Sequence, residues 1–183
     1  DALINNAGSL KTPMAETVAV RDIRFDVNTI APYILTQKLL PIIAADGRVV
    51  NLSSAAQAPV DVSAMEQYRA MGDMDAYAQS KLAITIWTAE MAKAMPDGPV
   101  FVAVNPGSLL ASKMVKEGFG IAGNDLSIGA DILVRAATSP EFADASGRYF
   151  DNDSGRFAAP HAAAANPDQV SAVMRALSSI TGF

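Results

Sequence analysis

The 183-residue chain contains no cysteine, a single histidine and no run of basic residues. Without cysteine it can form neither a disulfide nor a thiolate metal site, and one histidine excludes a multi-histidine centre, so we expect no metal site. A net charge of −5 at pH 7 and a pI near 4.8 argue against a nucleic-acid partner.

The sequence also lacks an apolar run approaching the roughly 18 residues that a membrane span needs, and it lacks the charged start of a signal peptide. Half of its residues are apolar and 18% are charged, which is typical of a globular protein with a sizeable core. We therefore expect one domain over residues 1–183, a soluble cytoplasmic protein and no membrane partner.

The segment Tyr77-Ala-Gln-Ser-Lys81 places a phenol and an amine four residues apart. On a helix, two such residues are neighbours on one face. A unit charge about 4 Å from the phenol is worth roughly 4 kcal/mol at an effective dielectric near 20, which predicts a lowered pKa for Tyr77. Such a tyrosine can exchange a proton with a carbonyl or alcohol oxygen. An ordinary helix with a buried Tyr and a surface Lys has the same spacing, so this motif is weak alone.

Three further motifs accompany this pair in a fixed order: Asn5-Asn-Ala-Gly8, an apolar run that starts at Gly47 and ends at Ser54, and Asn105-Pro-Gly107. Together the four motifs resemble the short-chain dehydrogenase/reductase family over residues 1 to about 151. Gly147-Arg-Tyr-Phe150 and the last helix are similar to the retinol-dehydrogenase-like branch of that family.

The resemblance implies an α/β fold, a Rossmann-like doubly wound parallel sheet in three α/β/α layers. In the family the strand at residues 2–5 is the fourth of the sheet, and the glycine-rich pyrophosphate turn belongs to the first. We therefore expect this chain to hold the C-terminal two-thirds of the fold, with the N-terminal βαβ part preceding Asp1 in a longer parent chain.

The resemblance also implies four catalytic residues. Ser54 would hydrogen-bond the substrate oxygen, and Tyr77 would donate a proton to it. Lys81 would lower the pKa of Tyr77 and hold the ribose hydroxyls, and Asn28 would keep a water relay to Lys81 in place. Ser53 is the alternative to Ser54, which is favoured because it immediately precedes small residues, as in the family.

The implied cofactor is NAD or NADP, and the implied substrate is a small-molecule carbonyl or alcohol. The cofactor would contact Asn6, Ala7, Gly8, Asn28, Tyr77, Lys81, Pro106, Gly107 and Ser108. Two features leave alternatives open. The turn at residues 6–8 is also what a plain strand-to-loop turn needs, and Ala111 stands where the family often has a Thr.

Apolar periodicity predicts the elements that carry these motifs. Strands are predicted at 2–5, 48–53, 100–104 and 147–151, and helices at 18–44, 73–95, 127–138 and 168–180. Pro32 removes the donor for the carbonyl of Asn28, so a bend is expected near Asn28. Residues 57–72 are predicted to be a loop that flanks the substrate entrance.

The helix at 73–95 is apolar around most of its circumference, which exceeds a single amphipathic stripe. One side can face the sheet, so the other side needs a cover. We expect a second subunit to supply it, giving a homodimer or homotetramer, since family members commonly pair through this helix.

Two patterns in the second half resemble functional motifs. Gly118 to Gly123 matches GxGxxG, but no strand precedes it and the next helix begins only near Ser127, a suitable N-cap. We expect a flexible lid over the substrate there. His161 lies among alanines, far from the serines, and is expected at the surface; a serine hydrolase using Ser54 would depend on it entirely.

The favoured function is thus an NAD(P)-dependent oxidoreductase that interconverts a carbonyl and an alcohol. The alternative is a non-catalytic or regulatory member that lacks the pyrophosphate turn.

Overall fold

The computed structural model describes the backbone of residues 1–183 and every side chain except those of Lys113 and Phe119. Among these residues, five strands form one sheet in the order β1 to β5, with β1 to β4 parallel and β5 antiparallel to β4. The strands are β1 Ala2–Asn5, β2 Arg48–Leu52, β3 Val100–Asn105, β4 Tyr149–Asp151 and β5 Arg156–Ala158. The predicted strands at 2–5, 48–53, 100–104 and 147–151 are confirmed to within two residues, whereas β5 was not predicted.

Seven α-helices flank the sheet within the described part of the chain. They are α1 Ile23–Phe25, α2 Ala31–Leu39, α3 Val62–Glu66, α4 Asp73–Ala94, α5 Lys113–Phe119, α6 Leu126–Thr138 and α7 Pro167–Thr181. Short 3₁₀ turns lie at Leu40–Ile42, Pro140–Phe142 and Ala162–Ala165. None of these helices has both the length and the apolarity that crossing a bilayer requires.

The helices lie in two layers, one on each side of the sheet. Val49 of β2 belongs to a buried cluster with residues of α2, α3, α4 and α7. Its neighbour Val50 belongs to a second cluster with Ile132 of α6. Consecutive residues of a strand point to opposite faces, so the apolar run of β2 is buried on both sides. The predicted three-layer α/β/α arrangement is confirmed.

The bend predicted near Asn28 is present as a wide helical turn. Residues Asp26–Ile30, between α1 and α2, form a π-helix, in which the backbone N–H of Ala31 donates to the carbonyl of Asp26 five residues earlier. Pro32 accounts for it, because proline has no N–H to offer the carbonyl of Asn28. The predicted start of this helix at residue 18 was wrong, since α1 begins at Ile23.

The outer side of α4 is covered by the chain itself. Trp87 is fully buried, and its ring lies 5.5 Å from that of Tyr33 of α2 in an edge-on arrangement. Met65 of α3 and Leu177 of α7 belong to the same cluster. The apolar circumference of α4 is therefore explained by intramolecular packing, which removes the reason for expecting a second subunit there. The oligomeric state itself stays a prediction.

Two other expectations were wrong in part. Residues 57–72 are not a loop throughout, because they contain α3, whose fully buried Met65 packs against the core; that this segment flanks the substrate entrance stays a prediction. The N-cap of α6 is Asp125, whose carboxylate accepts a hydrogen bond from the N–H of Ser127 at 2.9 Å. Asp therefore fills the capping role that had been assigned to Ser127.

The GxGxxG match lies at the C-terminal end of a helix. Gly118 is within α5, and Gly120 follows the helix in a left-handed conformation with φ of 68°. Glycine is the residue usually found there, because a side chain disfavours positive φ. The expectation that this motif is not a phosphate loop is confirmed.

Candidate active site

The four motifs converge on one cleft of about 880 Å³ at the carboxyl ends of β1, β2 and β3. This is the edge at which parallel α/β sheets bind ligands. All but one of the predicted site residues line the cleft: Asn6, Ala7, Gly8, Ser54, Tyr77, Lys81, Pro106, Gly107 and Ser108. The exception is Asn28, which is fully buried and does not line the cleft.

The structure distinguishes between the two serines that follow β2. Ser53 is 3% exposed, and its hydroxyl lies 2.6 Å from that of Thr85 on α4. Ser54 is less buried, and its Oγ accepts a hydrogen bond from the N–H of Ala56 at 3.1 Å. Because that bond uses only a lone pair, the proton of Ser54 is available to an acceptor in the cleft. The geometry favours Ser54, as the sequence did.

Tyr77 and Ser54 both line the cleft, and their side chains interact. Burial raises the pKa of Tyr77, and a hydrogen-bonding interaction with the Ser54 side chain opposes part of that rise. Tyr77 therefore keeps its proton at neutral pH and beyond.

Lys81 lies one helical turn from Tyr77 and is 4% exposed. Its Nζ donates to the carbonyl of Leu52 at 2.7 Å and lies 5.6 Å from the centroid of the Tyr77 ring. Burial lowers the pKa of Lys81 to about 8. An amine with this pKa changes charge within the range in which enzymes work.

The predicted lowering of the Tyr77 pKa by Lys81 was wrong for this structure. The spacing does bring the ammonium near the aromatic ring, but Nζ is held at the end of β2 by the carbonyl of Leu52. Burial is the largest influence on the phenol, and it favours the neutral form.

Asn28 joins two walls of the site from behind. Its Oδ1 accepts from the N–H of Ser9 at 2.7 Å, and its Nδ2 donates to the carbonyl of Ser9 and to Ser80 Oγ, both at 2.9 Å. Ser80 in turn donates to the carbonyl of Tyr77 at 2.7 Å. Asn28 thus connects the turn after β1 to α4 through its side chain, and the predicted water relay stays a prediction.

Gly8 brings the backbone close to these polar groups. A Cβ atom at Gly8 would lie 3.3 Å from Met114 Cε, 3.5 Å from Asn28 Oδ1 and 3.8 Å from Lys81 Nζ. The absence of a side chain therefore keeps this corner of the cleft open.

The turn after β3 holds the opposite wall. Gly107 has φ of 126°, a conformation that L side chains rarely adopt. Ser108 lines the cleft, but its N–H and hydroxyl donate to Asp153 at 2.8 and 2.5 Å. Both donors of Ser108 are therefore already used, so its hydroxyl can contact a cofactor only as a hydrogen-bond acceptor.

A buried ion pair anchors the N-terminus of α4, which sequence reasoning missed. Arg24 is 1% exposed and donates to Asp22, with Nε to Oδ1 at 2.7 Å, and also to Asp73, the first residue of α4. These bonds raise the pKa of Arg24 against the effect of its burial. The N-cap pattern at Asp22 was a signal in the sequence, but the pairing with Asp73 spans 49 residues.

The exposed His161 does not line the cleft described here. Its Nδ1 accepts a hydrogen bond from the N–H of Ala163 at 3.1 Å, so the ring caps a 3₁₀ turn. The predicted surface position is confirmed.

A mainly parallel α/β sheet with a Ser, a Tyr and a Lys at one cleft is the arrangement that the four sequence motifs predicted. The chain belongs to the short-chain dehydrogenase family, whose sequence model matches residues 1–120.

Its relatives place it near the retinol dehydrogenases, as the resemblance implied. Human retinol dehydrogenase 13 is 32% identical over 184 aligned positions, which cover 88% of this chain and 55% of that protein. Mouse retinol dehydrogenase 12 is 30% identical over 162 positions, covering 81% and 51%. The chain spans about half the length of the curated relatives it matches.

Solved structures share the fold. A structure of an uncharacterised protein from Mycobacterium paratuberculosis is 25% identical, with a TM-score of 0.77 over all of this chain and 67% of the other. The 3-ketoacyl-(acyl-carrier-protein) reductase from Brucella melitensis, complexed with NADH, is 21% identical, with a TM-score of 0.59 over 85% and 67%.

Proposed function

We propose that this chain carries the catalytic half of an NAD(P)-dependent oxidoreductase that interconverts a carbonyl and an alcohol. The observation that carries the proposal is the convergence of Ser54, Tyr77 and Lys81 on one cleft, with the Ser54 side chain interacting with the Tyr77 phenol. The names of the relatives agree with it, since two are retinol dehydrogenases and one structural neighbour is a reductase complexed with NADH.

The residues present fit the nicotinamide end of a dinucleotide. Gly8 and Gly107 leave backbone exposed on opposite walls of a cleft of about 880 Å³. Tyr77 and Lys81 supply a hydroxyl and an amine that suit the hydroxyls of a ribose. When NAD or NADP is bound there, its nicotinamide supplies or accepts the hydride.

Side chains of the protein donate the proton and the hydrogen bonds. In the reducing direction Ser54 donates a hydrogen bond to the carbonyl oxygen of the substrate, and Tyr77 gives its proton to the same oxygen. The raised pKa of Tyr77 suits this direction, because the phenol is protonated at neutral pH. Lys81, which is charged below pH about 8, holds the ribose hydroxyls of the cofactor and does not set the pKa of Tyr77.

A second candidate is a non-catalytic or regulatory member of the family. The observation that favours it is the position of Gly118 to Gly123, the literal GxGxxG match, at the C-terminal end of α5. That end of a helix offers carbonyls, whereas a pyrophosphate binds the N–H groups of a helix N-terminus.

Calorimetric titration of the 183-residue chain with NADH and with NADPH separates the two candidates. Submillimolar binding of either, abolished by Gly8→Val, supports the oxidoreductase, because a larger side chain at Gly8 would fill the cradle next to Asn28 and Lys81. Absence of binding to a folded chain favours the non-catalytic member.

A further inference from the structure

The hairpin of β4 and β5 contacts the turns at the ends of two other strands. Tyr149 at the start of β4 pairs with Ala103 of β3, yet its hydroxyl reaches past β3 and donates to the carbonyl of Ser54 at 3.0 Å. The same carbonyl accepts from Gln57 Nε2 at 2.9 Å. Two donors from different parts of the chain therefore fix the peptide group of the proposed catalytic serine.

Tyr149 is suited to act as a permanent donor. Its side chain is 7% exposed, and burial, together with the nearby carboxylates Asp151 and Asp153, raises its pKa. The phenol therefore stays protonated throughout the physiological range and can donate to a carbonyl that offers only lone pairs.

The far end of the hairpin holds the turn after β3. Asp153 accepts from the N–H and hydroxyl of Ser108, and from Asn105 Nδ2 at 2.9 Å. Asn152 Nδ2 donates to the carbonyl of Pro106 at 2.9 Å. Partial burial acts to raise the pKa of Asp153, but the hydrogen bonds from Ser108 and Asn105 outweigh it and leave the pKa lowered.

We propose that the β4–β5 hairpin is the element that sets both walls of the cleft, with Tyr149 positioning the Ser54 turn and Asp153 positioning the turn at 105–108. Neither residue lines the cleft, so both act through other groups. The positional claim stands on the hydrogen bonds alone. Its consequence for turnover rests on the proposed function.

Amide hydrogen exchange of the full chain, read by mass spectrometry on short peptides, tests the positional claim without any cofactor. Tyr149→Phe removes only the hydroxyl, and Asp153→Asn removes the charge and one acceptor oxygen. We expect Tyr149→Phe to speed exchange about fivefold at 53–57, and Asp153→Asn to do so at 105–109, because a single hydrogen bond contributes that much protection. Tyr33→Phe in the core and Asp144→Asn at the surface are the matched controls.

The proposal would be overturned if the amides at 53–57 in Tyr149→Phe and those at 105–109 in Asp153→Asn exchanged at the wild-type rate. So would a uniform increase across β1, β2 and β3, since that is the signature of general destabilisation. If the chain also catalyses reduction, Tyr149→Phe should lower kcat at unchanged cofactor KM, and Asp153→Asn should raise cofactor KM instead. Local loosening with no turnover in the wild type would reject the proposed function and keep the positional claim.

Discussion

Lys81 Nζ and the carbonyl oxygen of Leu52 lie 2.7 Å apart, so the amine on α4 is tied to the last residue of β2. This contact directs a buried amine at the strand end that precedes the proposed catalytic serine. It also keeps the charge near the face of the Tyr77 ring, 5.6 Å from its centroid. The stability and the pH behaviour of the site both follow from this placement.

Replacing Lys81 by Met should stabilise the fold at pH 7. The pKa of Lys81 falls from 10.5 to about 8 on burial, so folding at neutral pH must bury a charge, which costs about 1–3 kcal/mol after the bond to Leu52 is counted. Between pH 8 and 10.5 the unfolded chain binds more protons at this residue, so wild-type stability rises with pH. Urea unfolding at pH 7 and pH 9.5 should show a smaller advantage of the variant at the higher pH.

Lys38→Met is the matched control, because it removes an exposed lysine from a helix and so relieves no burial cost. A Lys81→Met protein that is less stable than the wild type at pH 7 would contradict the assignment of a net burial cost.

Tyr77 should ionise above the ordinary tyrosine range. Burial raises its pKa more than the interaction with Ser54 lowers it. The difference in phenolate absorbance between the wild type and Tyr77→Phe during an alkaline titration isolates this residue. Appearance of that difference signal below pH about 10 would show that the ammonium, not burial, dominates.

Asn51 should be a costly residue to remove. Asn5 Nδ2 donates to Asn51 Oδ1 at 2.7 Å, and Asn51 Nδ2 donates to Thr88 Oγ1 at 2.8 Å, so the fully buried Asn51 joins β1 to α4. Asn51→Ala is expected to lower the free energy of unfolding by about 1–3 kcal/mol, since buried partners lose their bonds. Asn6→Ala, at the exposed neighbouring turn, should change the free energy of unfolding by less than about 0.5 kcal/mol. Urea unfolding of both variants measures the difference.

The two Arg–Asp pairs near α1 should differ sharply in importance. Asp22→Asn leaves the buried Arg24 without its main partner and should cost about 3–5 kcal/mol of unfolding free energy, although Asn preserves the helix cap. Asp26→Asn breaks the more exposed pair with Arg21 and should cost below about 1 kcal/mol. Equal losses in chemical denaturation would show that burial of Arg24 does not decide its contribution.

Much of the fold was predictable because its signals are local. The ends of β2, β3 and the long α4 were predicted to within one residue. Pro32 predicted the bend at Asn28 because a missing N–H acts within one turn. The three-residue β5 offered too short a pattern to detect.

The sequence predicted which residues line the cleft, but it predicted less well how they interact. Spacing puts Tyr77 and Lys81 on one helical face, but it does not reveal that Leu52 holds the amine or that burial controls the phenol. The bond from Tyr149 to Ser54 joins residues 95 positions apart. The packing of α7 against α4 is likewise a long-range contact, so the apolar circumference of α4 could not be assigned from the sequence to packing within the chain.

The role of Tyr77 as proton donor is tested by measuring the turnover of a carbonyl substrate with NADH or NADPH by Tyr77→Phe, beside Tyr33→Phe and with cofactor binding recorded for both. We expect Tyr77→Phe to lower turnover by about 100-fold or more, since it removes the proton donor, and to weaken cofactor binding far less. Near-wild-type turnover in Tyr77→Phe would contradict the claim that this phenol supplies the proton.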